Sequence, residues 1–281
     1  DSRVRVTFRD KNGHISAASN TALDLVRGEY VALLDHDDEL TEHAMYLVAR
    51  EAVAHQETII FYSDEDKIDE RGGYTYDPNF KPEWNSDLFY SQNYINHLTV
   101  YRTSAVREVG GFRLGFEGSQ DYDLALRVIE GFKDASREIR HIPHVLYHWR
   151  AVSGSVAMSS GEKRYASNSA QRALKEHFDR KGLKAEVVPG LKGFHRVMYA
   201  LPEIQPLVSL LIGTRDRVGL LQVAVDGILR RTSYRNLEVI IVDNGSVEPE
   251  TMAYFAEVAR DPRVRIIRHD APFNFSEINN L

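Results

Sequence analysis

The sequence contains no cysteine. A disulfide scaffold, a thiolate metal site and a cysteine nucleophile are therefore excluded. Long hydrophobic runs are missing as well: candidates such as Leu207–Ile212 and Val239–Val242 have only the length of strands, whereas a membrane-spanning helix needs about 18 or more apolar residues. Excess positive charge is also absent, because the formal net charge is −6, which argues against a nucleic-acid partner or a generic anionic-membrane surface.

The remaining composition is that of a globular protein. Of the 281 residues, 43% are apolar and 27% charged, which is enough to form a hydrophobic core in one or two domains. The chain begins at Asp1, without a methionine or a signal-like stretch. We therefore expect a fragment, or a processed product, of a longer protein.

The two ends of the chain resemble each other. Residues 1–20 align with residues 261–280 without a gap, at an offset of 260 positions, and seven residues are identical. A period of this size is that of a whole α/β domain. The pattern predicts one period of a tandem repeat, cut within both of its units.

Hydrophobic patterns divide the chain near residues 202–206, where two prolines bracket a polar stretch. Before this boundary, strands and helices are separated by acidic or glycine-rich turns, and the weak periodicity of residues 67–92 predicts loops. The expected strands of this part are Arg3–Phe8, Tyr30–Leu34, Thr58–Tyr62, Asn96–Tyr101 and Ile139–His148, and the expected helices are Ser16–Val26, one capped by Thr41, one from Asp121, and Glu162–Lys181.

After the boundary the order becomes strand, helix, strand, helix. The strands Leu207–Ile212 and Leu237–Val242 are apolar except for one residue each, Ser209 and Glu238, and are of the buried type found in parallel sheets that are covered on both faces. The helices are expected at Gly219–Arg230 and Glu250–Ala259. This order is typical of the beginning of a nucleotide-binding α/β sheet.

Two acidic clusters follow predicted strands. Asp35, Asp37 and Asp38 come directly after Tyr30–Leu34, and carboxylates two residues apart on an extended segment can reach one hard cation. Parallel sheets also place ligands at the ends of their strands. A solvated acidic turn is the alternative for this cluster and the favoured interpretation of Asp64–Asp66. An EF-hand loop fits neither cluster, because no glycine stands at its sixth position.

Asp121 opens a predicted helix after Gly118-Ser-Gln. A carboxylate in a first helical turn commonly caps the helix and interacts favourably with its dipole. Alternatively, it can act as a general base that takes the proton of an attacking hydroxyl.

Further polar residues stand at the ends of three other strands. His148 and Arg150 lead into a Gly-Ser segment at residues 153–155, where they can meet a diphosphate or a metal, or pair on the surface. Thr214 and Asp243 end the two strands after the boundary. Asp243 can accept hydrogen bonds from a base or a ribose, although Asp-Asn-Gly is also a common turn.

Together these segments resemble glycosyltransferase family 2, in particular tandem-domain members of the polysaccharide or O-antigen type. The strand ends Ile212–Thr214, Val242–Ser246 and Leu34–Asp38, and the pair Gln120–Asp121, match the motifs of the family in type and context. Four more segments extend the resemblance over nearly the whole chain: Tyr62–Lys67, Phe80–Trp84, Gly111–Phe112 and Tyr147–Arg150.

The resemblance implies the GT-A fold, an α/β architecture in which helices flank a Rossmann-like mixed sheet. It implies an enzyme that moves a sugar, with inversion, from a nucleotide-diphosphate donor to a hydroxyl of a glycan or lipid-linked glycan in cell-surface polysaccharide synthesis. The implied cofactor is Mg²⁺ or Mn²⁺. The implied location is the cytoplasm, including the inner face of the membrane through peripheral association of the parent protein.

The resemblance also assigns roles to single residues. Asp121 is the implied catalytic base, and Asp35, Asp37 and His148 are the implied metal ligands. The residues implied to bind the nucleotide donor are Thr214, Arg215, Asp243, Asp38 and Arg150. Trp84 and Tyr94 are candidates for contacting the acceptor, with core packing as the alternative.

The sequence departs from the family pattern in two residues and in order. Gln120 stands where glutamate is usual, so any contribution of that acid beside Asp121 is lost. Gly213 stands where proline is usual, which should loosen the turn after the strand. The nucleotide-binding motifs follow the metal motif instead of preceding it. The repeat explains this order: residues 1–205 correspond to the C-terminal three-quarters of one GT-A domain, with its metal and base, and residues 206–281 to the N-terminal nucleotide-binding part of a second. We expect the second part to be able to complete the first, as in a circular permutant.

Two other classes of function compete with this interpretation. A nucleotidyltransferase would usually carry a glycine-rich basic loop after its first strand, whereas Thr214–Arg217 has arginines but no glycine. An inactive repeat that serves as an assembly module would be expected to lose Asp37 or Asp121, and both are present. A fragment of an active enzyme can nevertheless be inactive alone.

Overall fold

The computed structural model describes residues 1–151 and 160–281. The predicted Gly-Ser segment at residues 153–155 lies outside the described residues. The chain divides into two compact α/β units, Asp1–Ala200 and Leu201–Leu281. In the described part, no helix is both long enough and apolar enough to cross a membrane.

The first unit is built on a six-stranded mixed sheet. Its strands are β1 (Tyr30–Ala32), β2 (Glu39–Leu40), β3 (Ile60–Ile68), β4 (Thr75–Asn79), β5 (Thr99–Arg102) and β6 (Ile139–Arg150). The order is β1-β5-β3-β6-β2, with β4 paired to β3. The central strands β3 and β6 are parallel, and the other pairs are antiparallel.

Helices and a separate hairpin complete the first unit. The helices are α1 (His14–Leu23), α2 (Ala44–Ala54), α3 (Ser86–Ser91), α4 (Thr103–Glu108), α5 (Gln120–Ile129), α6 (Ala135–Glu138) and α7 (Ser160–Arg180). The antiparallel hairpin consists of β7 (Ala185–Pro189) and β8 (His195–Tyr199). The hydrophobic patterns had not indicated this hairpin.

Helix α5 lies at the centre of the larger core cluster, and it is buried from Tyr122 to Ile129. Its one fully buried carboxylate, Asp123, forms ion pairs with Arg113 and Arg127. The loop before it is tied to α1, because the side chain of Asn20 donates to the Phe112 carbonyl at 2.7 Å and accepts from the Phe112 N–H at 2.8 Å. These contacts fix the position at which α5 begins.

Four expectations about the first unit are wrong. Residues 3–8 form no strand, since no strand of the described chain pairs with them, and their side chains are exposed. The acidic segment Asp64–Asp66 is not a solvated loop but part of β3, where pairing with β6 overrides the turn character of its residues. Residues 67–92 include β4 and α3. Thr41 does not cap α2, whose N-cap residue is His43.

The second unit is a three-stranded parallel sheet with helices. Its strands are β9 (Val208–Thr214), β10 (Leu237–Asp243) and β11 (Val264–Arg268), in the order β11-β10-β9. Its helices are α8 (Val218–Asp226), which continues into a π-helical turn, α9 (Pro249–Val258) and α10 (Phe275–Asn279). The buried side chains of β10 and α9 form the core of this unit. The two strands and two helices predicted after the boundary are therefore confirmed, and the strand–helix pair β11–α10 follows them.

Candidate functional site

The acidic segment after β1 is held in place by strand β6. The hydroxyl of Tyr147 donates to Asp38 Oδ2, and the Arg150 N–H donates to Asp38 Oδ1 at 2.7 Å. The N–H of Asp35 lies 3.4 Å from the same Tyr147 hydroxyl. Both oxygens of Asp38 are thus occupied by protein donors, and Asp38 fixes the segment to the sheet.

Arg150 holds the other side of the same segment. Its Nε donates to the Asp37 carbonyl at 2.6 Å, and its terminal nitrogens pair with Glu39 and donate to the Asp69 and Glu70 carbonyls, both at 3.2 Å. All three guanidinium nitrogens therefore have protein partners. Arg150 joins the acidic segment to the turn at residues 69–70.

Asp35 and Asp37 differ from Asp38 because their carboxylates remain available. In the described part of the chain, neither side chain has a hydrogen-bond partner, and the nearest charged group to the Asp37 carboxylate is His36 Nδ1, at 3.7 Å. Both residues line a cavity of about 650 Å³, which we call the Asp35 cavity. Partial burial raises the pKa of Asp35, with Asp38 and Asp37 adding to the shift and His97 opposing it.

The predicted metal ligands are not gathered into one cluster. Among the described residues, no group of three or more His, Asp or Glu side chains is arranged to hold a metal ion. The Nδ1 atom of His148 is hydrogen-bonded to Asp66. Asp35 and Asp37 still fit a hard cation by themselves, because Mg²⁺ is commonly bound through one or two carboxylates and keeps several waters.

Asp121 lies in the first turn of α5, and two asparagines orient its carboxylate. Its Oδ2 accepts from Asn93 Nδ2 at 2.9 Å and from the side-chain amide of Asn96. Asn96 is itself fixed by the Thr99 hydroxyl at 2.7 Å. Burial raises the pKa of Asp121, while His97 and the N–H groups of the helix start oppose the shift. The second oxygen, Oδ1, accepts no hydrogen bond from a side chain of the described residues.

A second cavity meets the first at Asp121. It has a volume of about 700 Å³ and is lined by Lys81 and Glu65, so we call it the Lys81 cavity. The residues common to both cavities are Asn96, His97, Gly118, Asp121 and Trp149. A group bound in either cavity would therefore be in reach of Asp121.

A polar network between the two cavities was not anticipated from the sequence. Glu65 Oε2 accepts from the His97 N–H at 2.8 Å and lies 3.3 Å from His97 Nδ1. Lys81 Nζ donates to the His97 carbonyl at 2.6 Å, and burial lowers the pKa of Lys81 to about 8. The only available signal was the run of charged residues Asp64–Lys67, and it could be interpreted only after the strand was known.

The predicted acceptor residues have different positions. Tyr94 lines the Lys81 cavity, and its hydroxyl accepts from the Asn85 N–H at 2.9 Å. Trp84 packs against Phe89, with ring centroids 5.0 Å apart, and does not line that cavity. Gln120 lines the Asp35 cavity, but its side chain accepts from the Gly118 N–H at 2.7 Å.

In the second unit, Thr214 and Asp243 lie side by side at the ends of β9 and β10. Asp243 is buried, and its carboxylate accepts from the Ser246 N–H at 2.9 Å and forms an ion pair with Arg268. The Thr214 hydroxyl donates to the Asp216 carbonyl at 3.2 Å, and Arg215 is exposed. The strand ends thus bring two predicted nucleotide-binding residues together.

Comparison with known proteins identifies the class of this chain. The family described as "Glycosyl transferase family 2" matches residues 1–110 and 209–277. The chain therefore belongs to glycosyl transferase family 2, and its α/β architecture is of the GT-A class.

Two relatives align with the whole chain. The uncharacterized protein y4gI of Sinorhizobium fredii is 51% identical, and the match covers 100% of this chain and 31% of that protein. The O-antigen biosynthesis protein RfbC of Myxococcus xanthus is 38% identical, with coverages of 100% and 21%. The chain thus spans less than a third of either relative. Among solved structures, S. aureus TarS (residues 1–349) is 13% identical over 70% of this chain and 80% of that one, with a TM-score of 0.40.

Proposed function

We propose that the first unit carries the metal-binding and base-catalytic part of an inverting glycosyltransferase that extends a cell-surface polysaccharide. The observation that supports this most directly is the position of Asp121, at the junction of the Asp35 and Lys81 cavities. The printed name of RfbC, an O-antigen biosynthesis protein, supports a glycan product.

The Asp35 cavity is the proposed place of the nucleotide-sugar donor. Asp35 and Asp37 would hold Mg²⁺ or Mn²⁺ there, because their carboxylates are free of protein donors. When bound, the cation would neutralise the negative charge on the leaving diphosphate. Arg150 and Asp38 would act on the donor site indirectly, because their hydrogen bonds keep the Asp35–Asp38 segment in place. His148 remains a candidate ligand through Nε2, because Asp66 fixes its Nδ1.

Asp121 is the proposed general base. An acceptor hydroxyl in the Lys81 cavity would give its proton to Asp121 Oδ1 while its oxygen attacks the anomeric carbon of a sugar in the Asp35 cavity. Such proton transfer needs a carboxylate within hydrogen-bond reach and a pKa shifted toward the working pH, and burial shifts that of Asp121 upward. Attack from the side opposite the diphosphate inverts the anomeric centre.

The Lys81 cavity is the proposed acceptor site. Amide and hydroxyl side chains line it together with Tyr94, and such groups suit hydrogen bonding and stacking with sugars. Trp84 would contribute through its packing on Phe89 and Tyr94. The acceptor would be a glycan or a lipid-linked glycan.

The second unit is proposed to begin another nucleotide-binding site. Asp243 and Thr214 would contact the base or ribose, and the exposed Arg215 the phosphates. Because Arg268 neutralises Asp243, the base would have to bind beside this ion pair or replace it. The repeat at the two ends of the chain supports the assignment of residues 206–281 to a second GT-A domain.

Manganese binding tests the proposal without requiring turnover. Electron paramagnetic resonance of free Mn²⁺ is measured with the chain alone and with UDP, GDP or dTDP. We expect the chain to deplete the free signal, Asp37→Ala to abolish this, and Asp77→Ala, which removes a surface carboxylate of β4, to leave it unchanged. Equal depletion by the chain and by Asp37→Ala would refute the assignment of the metal site. The nucleotide that strengthens binding would identify the donor class.

A further inference from the structure

The Lys81 cavity is lined in part by two elements that lie outside the residues matched by the family. Helix α7 contributes the small side chains Ala166, Ser167 and Ala170, and strand β8 contributes His195. The matched ranges, 1–110 and 209–277, include neither element. The role of this part of the lining therefore has to be inferred from its own contacts.

His195 is a buried histidine whose ring has no protein partner. The residue begins β8 and is only 8% exposed. Its backbone carbonyl accepts from the Ser91 hydroxyl at 3.1 Å, which joins the hairpin to α3. The ring forms no hydrogen bond within the described chain, and its Nδ1 is fully buried. Since buried polar atoms are normally hydrogen-bonded, this ring has an unused capacity to bind a ligand.

The two nitrogens of this ring differ in accessibility. Burial lowers the pKa of His195, so the ring is neutral near pH 7 and has one donor and one acceptor nitrogen. Nδ1 is enclosed by protein, and Nε2 is the more accessible nitrogen of a residue that lines the cavity. The favourable tautomer carries the proton on Nε2, where an oxygen of a ligand can accept it.

Asn93 provides a second unpartnered atom in the same cavity. Its Nδ2 donates to Asp121 Oδ2 at 2.9 Å, while its Oδ1 is buried and accepts no hydrogen bond from the described residues. The amide cannot be reversed, because Oδ1 would then face the carboxylate of Asp121. Asn93 therefore offers an acceptor beside the proposed base, and a ligand would reach it after a small shift of the surrounding side chains.

The charges of the cavity favour an uncharged ligand. Among the lining residues that the structure describes, Lys81 is the only lysine or arginine, and both Lys81 and His97 interact with Glu65. Glu65 and Asp121 add two carboxylates to the lining. A third carboxylate, brought by an acidic sugar, would lie near these two and could not donate to Asn93 Oδ1. A hydroxyl group can both donate and accept.

We propose that His195 and Asn93 form a binding subsite for an uncharged sugar, to which His195 Nε2 donates and from which Asn93 Oδ1 accepts. The inference rests on the proposed function, in which the Lys81 cavity holds the acceptor. The bound sugar would then be the terminal unit of the acceptor glycan, with another of its hydroxyls in reach of Asp121 Oδ1. The hairpin β7–β8 would thus take part in selecting the acceptor.

Nuclear magnetic resonance of the ¹⁵N-labelled chain tests this subsite through the His195 ring and the Asn93 side-chain amide. The probes are the methyl glycosides of glucose, galactose and mannose, and the corresponding methyl uronides, which differ from them only at carbon 6. We expect at least one neutral glycoside to shift both signals in a saturable way, and its uronide to bind about fivefold more weakly or worse. A uronide that binds as well as its neutral counterpart would overturn the choice of an uncharged sugar. Signals that no probe shifts would overturn the subsite.

Substitutions of β8 separate the ring nitrogen from the packing of the hairpin. His195→Phe keeps a planar ring but removes Nε2, and it should weaken binding, followed at the Asn93 amide, by about tenfold. His195→Gln keeps an N–H donor and should retain most of the affinity. Arg196→Ala changes the adjacent exposed residue and should have no effect. Equal binding by the wild type and by His195→Phe would refute the role of His195.

Two further measurements keep the outcome unambiguous. Tryptophan fluorescence shows whether each variant is folded, and where His195→Phe is not, the shift of the wild-type His195 Nε2 signal decides. Manganese depletion is measured on the same samples. A chain that depletes Mn²⁺ but binds no glycoside would refute the subsite and leave the metal site in place. A chain that binds a neutral glycoside without depleting Mn²⁺ would support the subsite and refute the metal site.

Discussion

Substitution of Asp38 should destabilise the first unit, whereas substitution of the neighbouring Asp37 should change its stability little. Asp38 accepts hydrogen bonds from the buried Tyr147 hydroxyl and from the Arg150 N–H, so that Asp38→Ala leaves two donors without a partner. Each such bond to a charged group contributes about 1.5–3 kcal/mol, and partial exposure of Asp38 reduces this. We therefore expect Asp38→Ala to lower the free energy of unfolding of the first unit by about 3 kcal/mol.

Asp37→Ala should change stability by less than about 0.5 kcal/mol, because the Asp37 side chain has only an exposed histidine as a partner. The same substitution should abolish manganese binding. The two effects separate a side chain that organises the site from one that is available to a ligand.

Urea denaturation followed by tryptophan fluorescence measures this difference. Both tryptophans lie in the first unit, so the signal reports its unfolding and not that of Leu201–Leu281. Asp38→Asn is the matched control, and it should lose about half as much as Asp38→Ala, since an amide can still accept one of the two bonds. Equal losses for Asp37→Ala and Asp38→Ala would refute the division of roles.

Three further outcomes are expected. Asp121→Asn should reduce the transfer rate of the parent enzyme by about 100-fold or more while urea denaturation is unchanged; a rate near that of the wild type would contradict its role as base. Burial lowers the pKa of His97, but Glu65, Asp121 and Asp35 outweigh burial, so that the pKa is raised above its ordinary value. The contribution of His97 to stability should therefore be complete below its unfolded-state pKa of about 6.5 and be lost as the pH rises through the folded-state pKa, and His97→Gln should remove this pH-dependent part from denaturation curves. Gly111→Ala should destabilise the first unit by about 2 kcal/mol or more, because φ is +70° and the new Cβ would lie 2.5 Å from Asn20 Oδ1; unchanged denaturation would show that the loop adapts.

Sequence patterns predicted the elements whose hydrophobic periodicity is strong. The helix that opens near Asp121 was found because its apolar residues recur at helical spacing, and β10 was found from its apolar run Val239–Val242. The hairpin β7–β8 and the strand β4 were missed. Their side chains are largely exposed, so that burial leaves little pattern in their sequences.

The residue types of the site were predictable from the sequence. Which of its carboxylates are bonded to the protein, and which are available to a ligand, was not. The motif Asp35–Asp38 and the strand end at Arg150 were singled out from the sequence, and the structure brings them into contact. Which carboxylates are bonded to the protein depends on residues more than 100 positions away, Tyr147 and Arg150. The Glu65–His97 contact depends in the same way on the pairing of β3 with β5. Such long-range neighbours cannot be obtained from local spacing.

The two copies of the Asp-x-Arg-Val-Arg segment show how far local sequence alone determines structure. At the C-terminal copy, an apolar strand lies alongside, and the segment becomes β11 with Val264 buried. At the N-terminal copy, no strand of the described residues lies alongside the same alternation, and it gives no strand. Because a lone strand satisfies none of its backbone groups within itself, its stability comes almost entirely from its partner. The copies also diverge at the last strand position: Arg268 neutralises the buried Asp243, whereas Phe8 carries no charge.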